Sequence, residues 1–487
     1  MLKVKINNMR LNKFICFFTG LMFLGACSIT QSNTAEKLQV LPDNYSNLNA
    51  DTIQVKDSSA WAFIRGDKQL SQLIDTALTF NFDLRIAAEN IKMANAQLKA
   101  AKFVWLPNAS INGGVSASRL SKYSLDGFGL EDSKLSPLNT GNMKIPEPLK
   151  DFYFGTQFTW ELDVWQKLNN KKKAALFTAQ SKVWEKKYLT TQIVTTVAAG
   201  YFEWLALNHQ LEILRDNIEL QQAALEIVLQ QKEMGRANEL AVELLMAQLQ
   251  SSKAMEAEAW EKRQLCGNAI SSICGKLPTQ LHLDTQFYAP KLGSFSVGVP
   301  SYLLQNRADI KQAEFELRAA KADVNSAKAA FYPNLTITAD IGMAAFDAVL
   351  LLENPASLAI NVLGGITQPI FARKKLKAEL LQSKANQKRA YLQYEKVTIG
   401  AFTEVFAAIN TIKNVSEIAR LKQQEVQTLV KSINTVDELF AAGRATYLEV
   451  ITVQKNALQS QIDLIELELR HQIALVNLYR AIGGSGF

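Results

Sequence analysis

The sequence predicts a mixed, mainly α fold: an internally duplicated chain in which four transmembrane β-strands feed into very long helices. Three observations predict it. Leu168 to Met234 and Arg373 to Ala442 contain no proline, and Gly200 and Gly400 are their only glycines. Four further segments alternate apolar and polar residues with a period of two. The order of these features then repeats along the chain. At about 1.5 Å per residue each proline-free rod would run about 100 Å. That is deeper than a globular core, so an assembly must supply the packing.

Residues 1–26 hold Lys3, Lys5, Arg10 and Lys13 and no acid, with an apolar run from Phe14 to Leu24. A short basic region before an apolar run of this length reads as a secretory signal, not a membrane span. Leu24-Gly25-Ala26-Cys27 resembles a bacterial lipobox. That resemblance implies cleavage before Cys27 and lipid chains attached to it, and Ser28 then implies sorting to the outer membrane. Residues 27–66 follow as a polar, extended anchor.

The first repeat spans 67–290. Apolar and small residues recur at helical spacing from Asp67 to Phe103, and Pro107 ends the segment. Strands are expected at 108–118 and 152–165. In the second, Phe152, Phe154, Phe158, Trp160, Leu162 and Val164 share a face with Thr156, while Gln157, Thr159, Glu161 and Asp163 lie opposite. Strict alternation with aromatics at its ends marks a strand facing lipid. The connection 119–149 is long, holds Pro137, Pro146 and Pro148, and is expected as an external loop. The rod 168–234, the Gly235-Arg236-Ala237 turn and a helix 239–275 complete the repeat.

The second repeat, 291–487, follows the same plan. Trp105-Leu106-Pro107-Asn108-Ala109 is echoed by Phe331-Tyr332-Pro333-Asn334-Leu335, 226 positions later. Gly235-Arg236-Ala237 returns as Gly443-Arg444-Ala445, and Gly275 as Gly483, each 208 positions later. Strands are expected at 333–343 and 356–371, a rod at 373–442 and a helix at 446–482.

Composition excludes several classes. The net charge of +7 falls to +3 once the four cations of residues 1–26 are removed, too mild for a nucleic-acid partner. Cys266 and Cys274 lie eight apart on one helical pattern, about 12 Å along its axis. That is too far for a disulfide, and the spacing fits no metal motif, so both read as buried residues. With three scattered histidines and no phosphate loop or nucleophile motif, an enzyme has no site to stand on. A coiled-coil adhesin would need sustained heptads, which are missing.

Four strands cannot close a membrane barrel, and a sheet in hydrocarbon cannot leave an edge unpaired. Several chains must therefore contribute. Leu303-Leu304-Gln305-Asn306-Arg307-Ala308-Asp309-Ile310 resembles the "LL..RPDI" element of TolC-like outer membrane efflux proteins. Phe331 to Leu335, Trp160 to Val164, Gln368 to Phe371, Glu404-Val405 and the ending Leu478 to Gly484 resemble that family as well. The resemblance implies a homotrimer: a 12-stranded β-barrel in the outer membrane of a Gram-negative bacterium, set on an α-helical barrel through the periplasm. It implies a passive exit duct for small molecules (drugs or metal ions). An inner-membrane pump would drive export through a periplasmic adaptor (membrane fusion) protein. The lipobox points to the acylated branch paired with RND-type pumps, and a type I protein-secretion duct is the alternative. No cofactor is expected beyond lipid on Cys27.

By the same resemblance, the turns at Gly235, Arg236, Gly443 and Arg444 form the adaptor-docking tip. Glu449 matches an acidic tip position that helps hold the family's aperture shut; Thr446 to Glu449 equally fits a capping box. Phe440, one turn before Gly443, would narrow the bore or pack between helices. The runs Lys171-Lys172-Lys173 and Arg373-Lys374-Lys375 open both rods against the helix dipole, so something should offset them. Three positions depart from the pattern: Ala308 replaces a usual proline, Gln166 a frequent glycine, and Arg373 to Lys375 a glycine-containing turn.

Overall fold

The computed structural model describes residues 66–137, 140, 144–278 and 307–484. The signal segment, Cys27, residues 28–65 and residues 303–306 of the first family element lie outside the described residues.

The helical run expected from Asp67 to Phe103 is two helices, α1 (Lys68–Phe80) and α2 (Phe82–Phe103). They part at Asn81, whose side chain accepts from Leu84 N at 3.1 Å and so restarts the helix. β1 (Asn108–Ser118) follows, then α3 (Leu125–Lys134) inside the connection expected as a loop. Ser124 caps α3 by accepting from Gly127 N, and Gly127 is required because a Cβ there would lie 1.9 Å from Ser121 O.

β2 (Leu149–Leu162) begins before the expected Phe152, because Leu149, Lys150 and Asp151 pair with Ser118, Ala117 and Ser116. It stops short of residue 165 because Asp163 turns back to accept from Leu168 N and Asn169 N at 2.8 and 2.7 Å. The chain then enters the long helix α4 (Lys167–Glu233), followed by α5 (Glu239–Ile273).

In the second half α6 (Ala308–Ala329) leads to β3 (Asn334–Ala345), a 3-10 turn at Leu350–Leu352 and β4 (Leu358–Thr367). β4 is shorter than the expected 356–371. Ser357 N bonds Glu353 O within the preceding turn, and Pro369 has no amide to donate beyond it. The rod α7 (Arg373–Ala441) and α8 (Tyr447–Ala481) complete the chain.

The four strands form one antiparallel sheet in the order β1-β2-β3-β4. Its register aligns Ile111 with Thr156 and Ile341, and Ile341 in turn with Ile360. Neighbouring positions bring Val115, Phe154, Phe158, Trp160, Ile337, Val362 and Ile366 onto the same face. Gln157, Asp340 and Asn361 share the other. Ile111, Val115, Ile360, Val362 and Ile366 are all exposed. So broad an apolar face is what a sheet against hydrocarbon presents. Among the described residues no helix is long and apolar enough to cross a membrane. The strand-to-helix junctions are pinned by polar aromatics: Trp160 Nε1 donates to Trp105 O and Trp165 Nε1 to Pro333 O, both at 2.8 Å.

The main core lies along the rods, where Leu70, Ile74, Val197, Tyr201, Trp204, Ile270, Ile310, Val405 and Tyr479 pack together. Two polar latches close it. Asn81 Nδ2 donates to Ile273 O, and Arg307 Nη1 to Ala481 O, both at 2.9 Å. Donors and acceptors are repeat equivalents, 226 and 208 positions apart. Each latch ties the end of a return helix to the start of the short helix above it.

Arg307 does more than its counterpart. Its side chain is 5% exposed and also donates to Asp309 at 2.6 and 3.0 Å and to Glu404 at 2.9 Å. Burial works against its charge, but Asp309 and Glu404 outweigh that and hold its pKa above the ordinary guanidinium value. Arg307→Ala would take its guanidinium partner from the half-buried Asp309 carboxylate and its donor from the Ala481 carbonyl. We expect it to cost about 1–3 kcal/mol, read as a lowered thermal unfolding midpoint, with Arg307→Lys intermediate.

Candidate functional site

The two helix-turn-helix tips are built alike from local rules. At the first, Gly235 adopts φ +72°, Gly235 N bonds Lys232 O at 2.9 Å and Arg236 N bonds Gln231 O at 2.8 Å. At the second, Gly443 adopts φ +69°, with Gly443 N to Phe440 O at 3.0 Å and Arg444 N to Leu439 O at 2.8 Å. Both are Schellman C-caps, which need a residue tolerant of the left-handed region. Each returning helix is capped in turn: Asn238 Oδ1 accepts from Ala241 N at 3.0 Å, and Thr446 Oγ1 from Glu449 N at 3.4 Å. Arg236 and Arg444 stand exposed beside their glycines.

Glu449 completes the capping box: its carboxylate accepts from Thr446 N at 2.6 Å and Thr446 Oγ1 at 2.9 Å. The backbone bond to Thr446, then the hydroxyl, holds this carboxyl below its usual range. Phe440 is half-buried. It packs with Tyr447 and Ile451 against Val228, Ala241, Val242 and Leu245 of the first hairpin, so the two tips lie side by side. Sequence reasoning missed the apolar edge that accompanies the arginines. Met234, Leu240 and Leu448 are 67%, 53% and 57% exposed, and Leu240 and Leu448 are repeat equivalents. Their signal is an apolar residue at the second position of each returning helix, off the buried stripe.

Away from the tips, Cys266 and Cys274 are free and buried, and burial pushes the Cys266 thiol up to about 12. Among the described residues no group of histidines, cysteines and carboxylates could hold a metal ion.

A sequence model described as "Outer membrane efflux protein" matches residues 73–276 and 299–484, one segment per repeat. The chain belongs to that family. The outer membrane efflux protein fold is a β-barrel set on an α-helical barrel, assembled from three chains, and its members are outer membrane transport ducts, not enzymes. The chain is similar to the pyoverdine export outer membrane protein OpmQ of Pseudomonas aeruginosa, 27% identical over 477 residues and 97% of each chain. It is 25% identical to the probable outer membrane lipoprotein SilC of Salmonella typhimurium over 430 residues, 88% of each chain. Among solved structures it resembles CusC, with a TM-score of 0.75, 25% identity and coverage of 91% and 96%.

The structure also accounts for the three departures from the efflux-protein pattern. Gln166 sits at φ +61°, a left-handed turn that glycine adopts without strain. Ala308 occupies the first position of α6, where proline suits a helix start but is not required. Ala372, before α7, has φ −76°, so this junction has no need of glycine.

Gly443→Ala should cost about 1–2 kcal/mol from the left-handed backbone alone, because nothing lies within 4 Å of the added Cβ. Gly275→Ala adds a clash, its Cβ falling 2.5 Å from Phe80 O. Melting of the two purified variants should rank Gly275→Ala lower.

Proposed function

We propose that this chain forms the passive, trimeric exit duct of a tripartite efflux system in the outer membrane. Its cargo would be small molecules, drugs or metal ions, delivered by an inner-membrane pump through a periplasmic adaptor. The observation that carries the reading is a four-stranded sheet with two unpaired edges, continuous with two rods that end in solvent-exposed tips. An open sheet in lipid must close through further copies, and the enclosed bore then continues down the rods.

The tips suit an adaptor. Gly235 and Gly443 fix two sharp turns, Arg236 and Arg444 supply charge, and Met234, Leu240 and Leu448 supply apolar contact. A patch of arginine and large apolar residues is a favourable composition for a protein partner. Phe440 and Glu449 serve closure indirectly in this proposal: the ring packs the two hairpins together and the carboxylate fixes the second turn. OpmQ is named for export of pyoverdine, which favours a pump-fed duct over a type I protein-secretion duct. The Leu24 to Cys27 motif favours the acylated branch and an RND-type pump, with lipid on Cys27.

A photo-crosslinking residue in place of Ala445, in living cells, should capture a periplasmic adaptor. Capture only of other copies of this chain would count against the tripartite reading. Metabolic labelling with a fatty acid should mark the wild type and leave Cys27→Ser unlabelled; equal labelling of both would remove the lipid from Cys27.

A further inference from the structure

The two rods start with basic runs, and they differ in how the helix start before the run is capped. At α4 the Asp163 carboxylate covers the first amides, and Lys167 pairs with Glu161 at 2.5 Å. At α7 there is no side-chain cap and no acid in the first turn. Arg373, Lys374, Lys375 and Lys377 are all exposed, and among the described residues the one carboxylate paired with them is Glu379, 4.0 Å from Lys375. Ile370 and Phe371, immediately before them, are 70% and 99% exposed.

Closure of the barrel decides what stands opposite. β1 and β4 are the free edges of the sheet, so β4 of one copy meets β1 of the next. β4 ends at Thr367, just before α7, and β1 begins at Asn108, just after α2. The start of α7 therefore faces the end of α2 from the adjoining copy. That end offers Lys99 and Lys102, both exposed, and has no acid between Lys92 and Asn108. It also exposes Phe103, Val104 and Trp105. Among the described residues each seam thus gathers six cations from two copies around one carboxylate, Glu379, with bare aromatic side chains toward the strands. The level is where the strands leave the hydrocarbon, the position of a membrane interface.

We infer that each subunit seam binds an anionic phospholipid of the periplasmic leaflet. Its headgroup lies among Arg373, Lys374, Lys375 and the adjoining copy's Lys99 and Lys102, and its acyl chains lie along Phe371 and Trp105. Clustered cations beside a spanning segment attract anionic headgroups, and arginine is suited to the phosphate. The site rests on the three-chain fold and is independent of cargo, pump or adaptor.

The test is native mass spectrometry of the full-length trimer, mixed with phosphatidylglycerol or with phosphatidylcholine. The wild type should retain up to three phosphatidylglycerols per trimer, with at least about tenfold preference over phosphatidylcholine. R373Q/K374Q/K375Q and K99Q/K102Q, on opposite sides of the seam, should each lower that preference at least about fivefold with the trimer mass intact. K171Q/K172Q/K173Q should leave it unchanged. Equal retention of both lipids by the wild type, or an undiminished preference in both seam variants, would overturn the site. If the seam variants dissociate, the wild type decides: phosphatidylglycerol retention that does not fall from low to high salt overturns it too.

Discussion

An unpaired strand edge cannot rest in hydrocarbon, and the whole molecule is arranged around that cost. Each bare amide or carbonyl there forfeits several kcal/mol, and β1 and β4 each present a row of them. The chain cannot satisfy them itself, because four strands are too few to curl into a barrel. Assembly from several copies follows from that arithmetic, and the family's fold sets the number at three. The rods inherit the geometry: each begins within a few residues of a strand end, so the helices continue the circumference that the strands set.

The duplication shows which contacts the fold needs twice. Both halves fasten a return helix to a short helix through one side chain that donates to one carbonyl. Asn81 meets that need with a neutral amide, while Arg307 adds two carboxylates and a charge. The first half keeps a different polar contact nearby, with Tyr201 Oη donating to Asp67 at 2.5 Å. The halves share a plan and differ in chemistry, as expected of a repeat in which each copy faces different neighbours.

The rods were legible because the absence of proline and the near absence of glycine over so long a stretch are properties of the whole segment, insensitive to any one residue. The strands were legible from alternation, but alternation records side chains, not backbone pairing. It ran on through Val164 and Trp165, where Asp163 had already turned back to cap α4, and it was silent at Leu149 to Asp151, which join the sheet only through their partners in β1. α3 was hidden by Gly127 and Gly129, which read as loop residues. At the tips the glycines announced themselves because the left-handed turn requires them, whereas the exposed leucines carried no periodic signal. Arg307, Asp309 and Glu404 were visible as motif residues, but a contact across 97 positions leaves no local trace. The Asp163 cap was missed because it reaches around a left-handed Gln166, a backbone conformation that the glutamine itself does not signal and that only the family's frequent glycine at this position hints at.

The two free edges of the sheet also bear on inheritance. A copy that folds its helices but carries a defective strand still offers one sound edge to its neighbours, so it joins assemblies and spoils them. If sound and defective copies are made in equal amounts and mix at random, only about one trimer in eight contains three sound chains. Strand lesions in this protein should therefore behave as dominant alleles, whereas lesions that prevent folding altogether should be recessive.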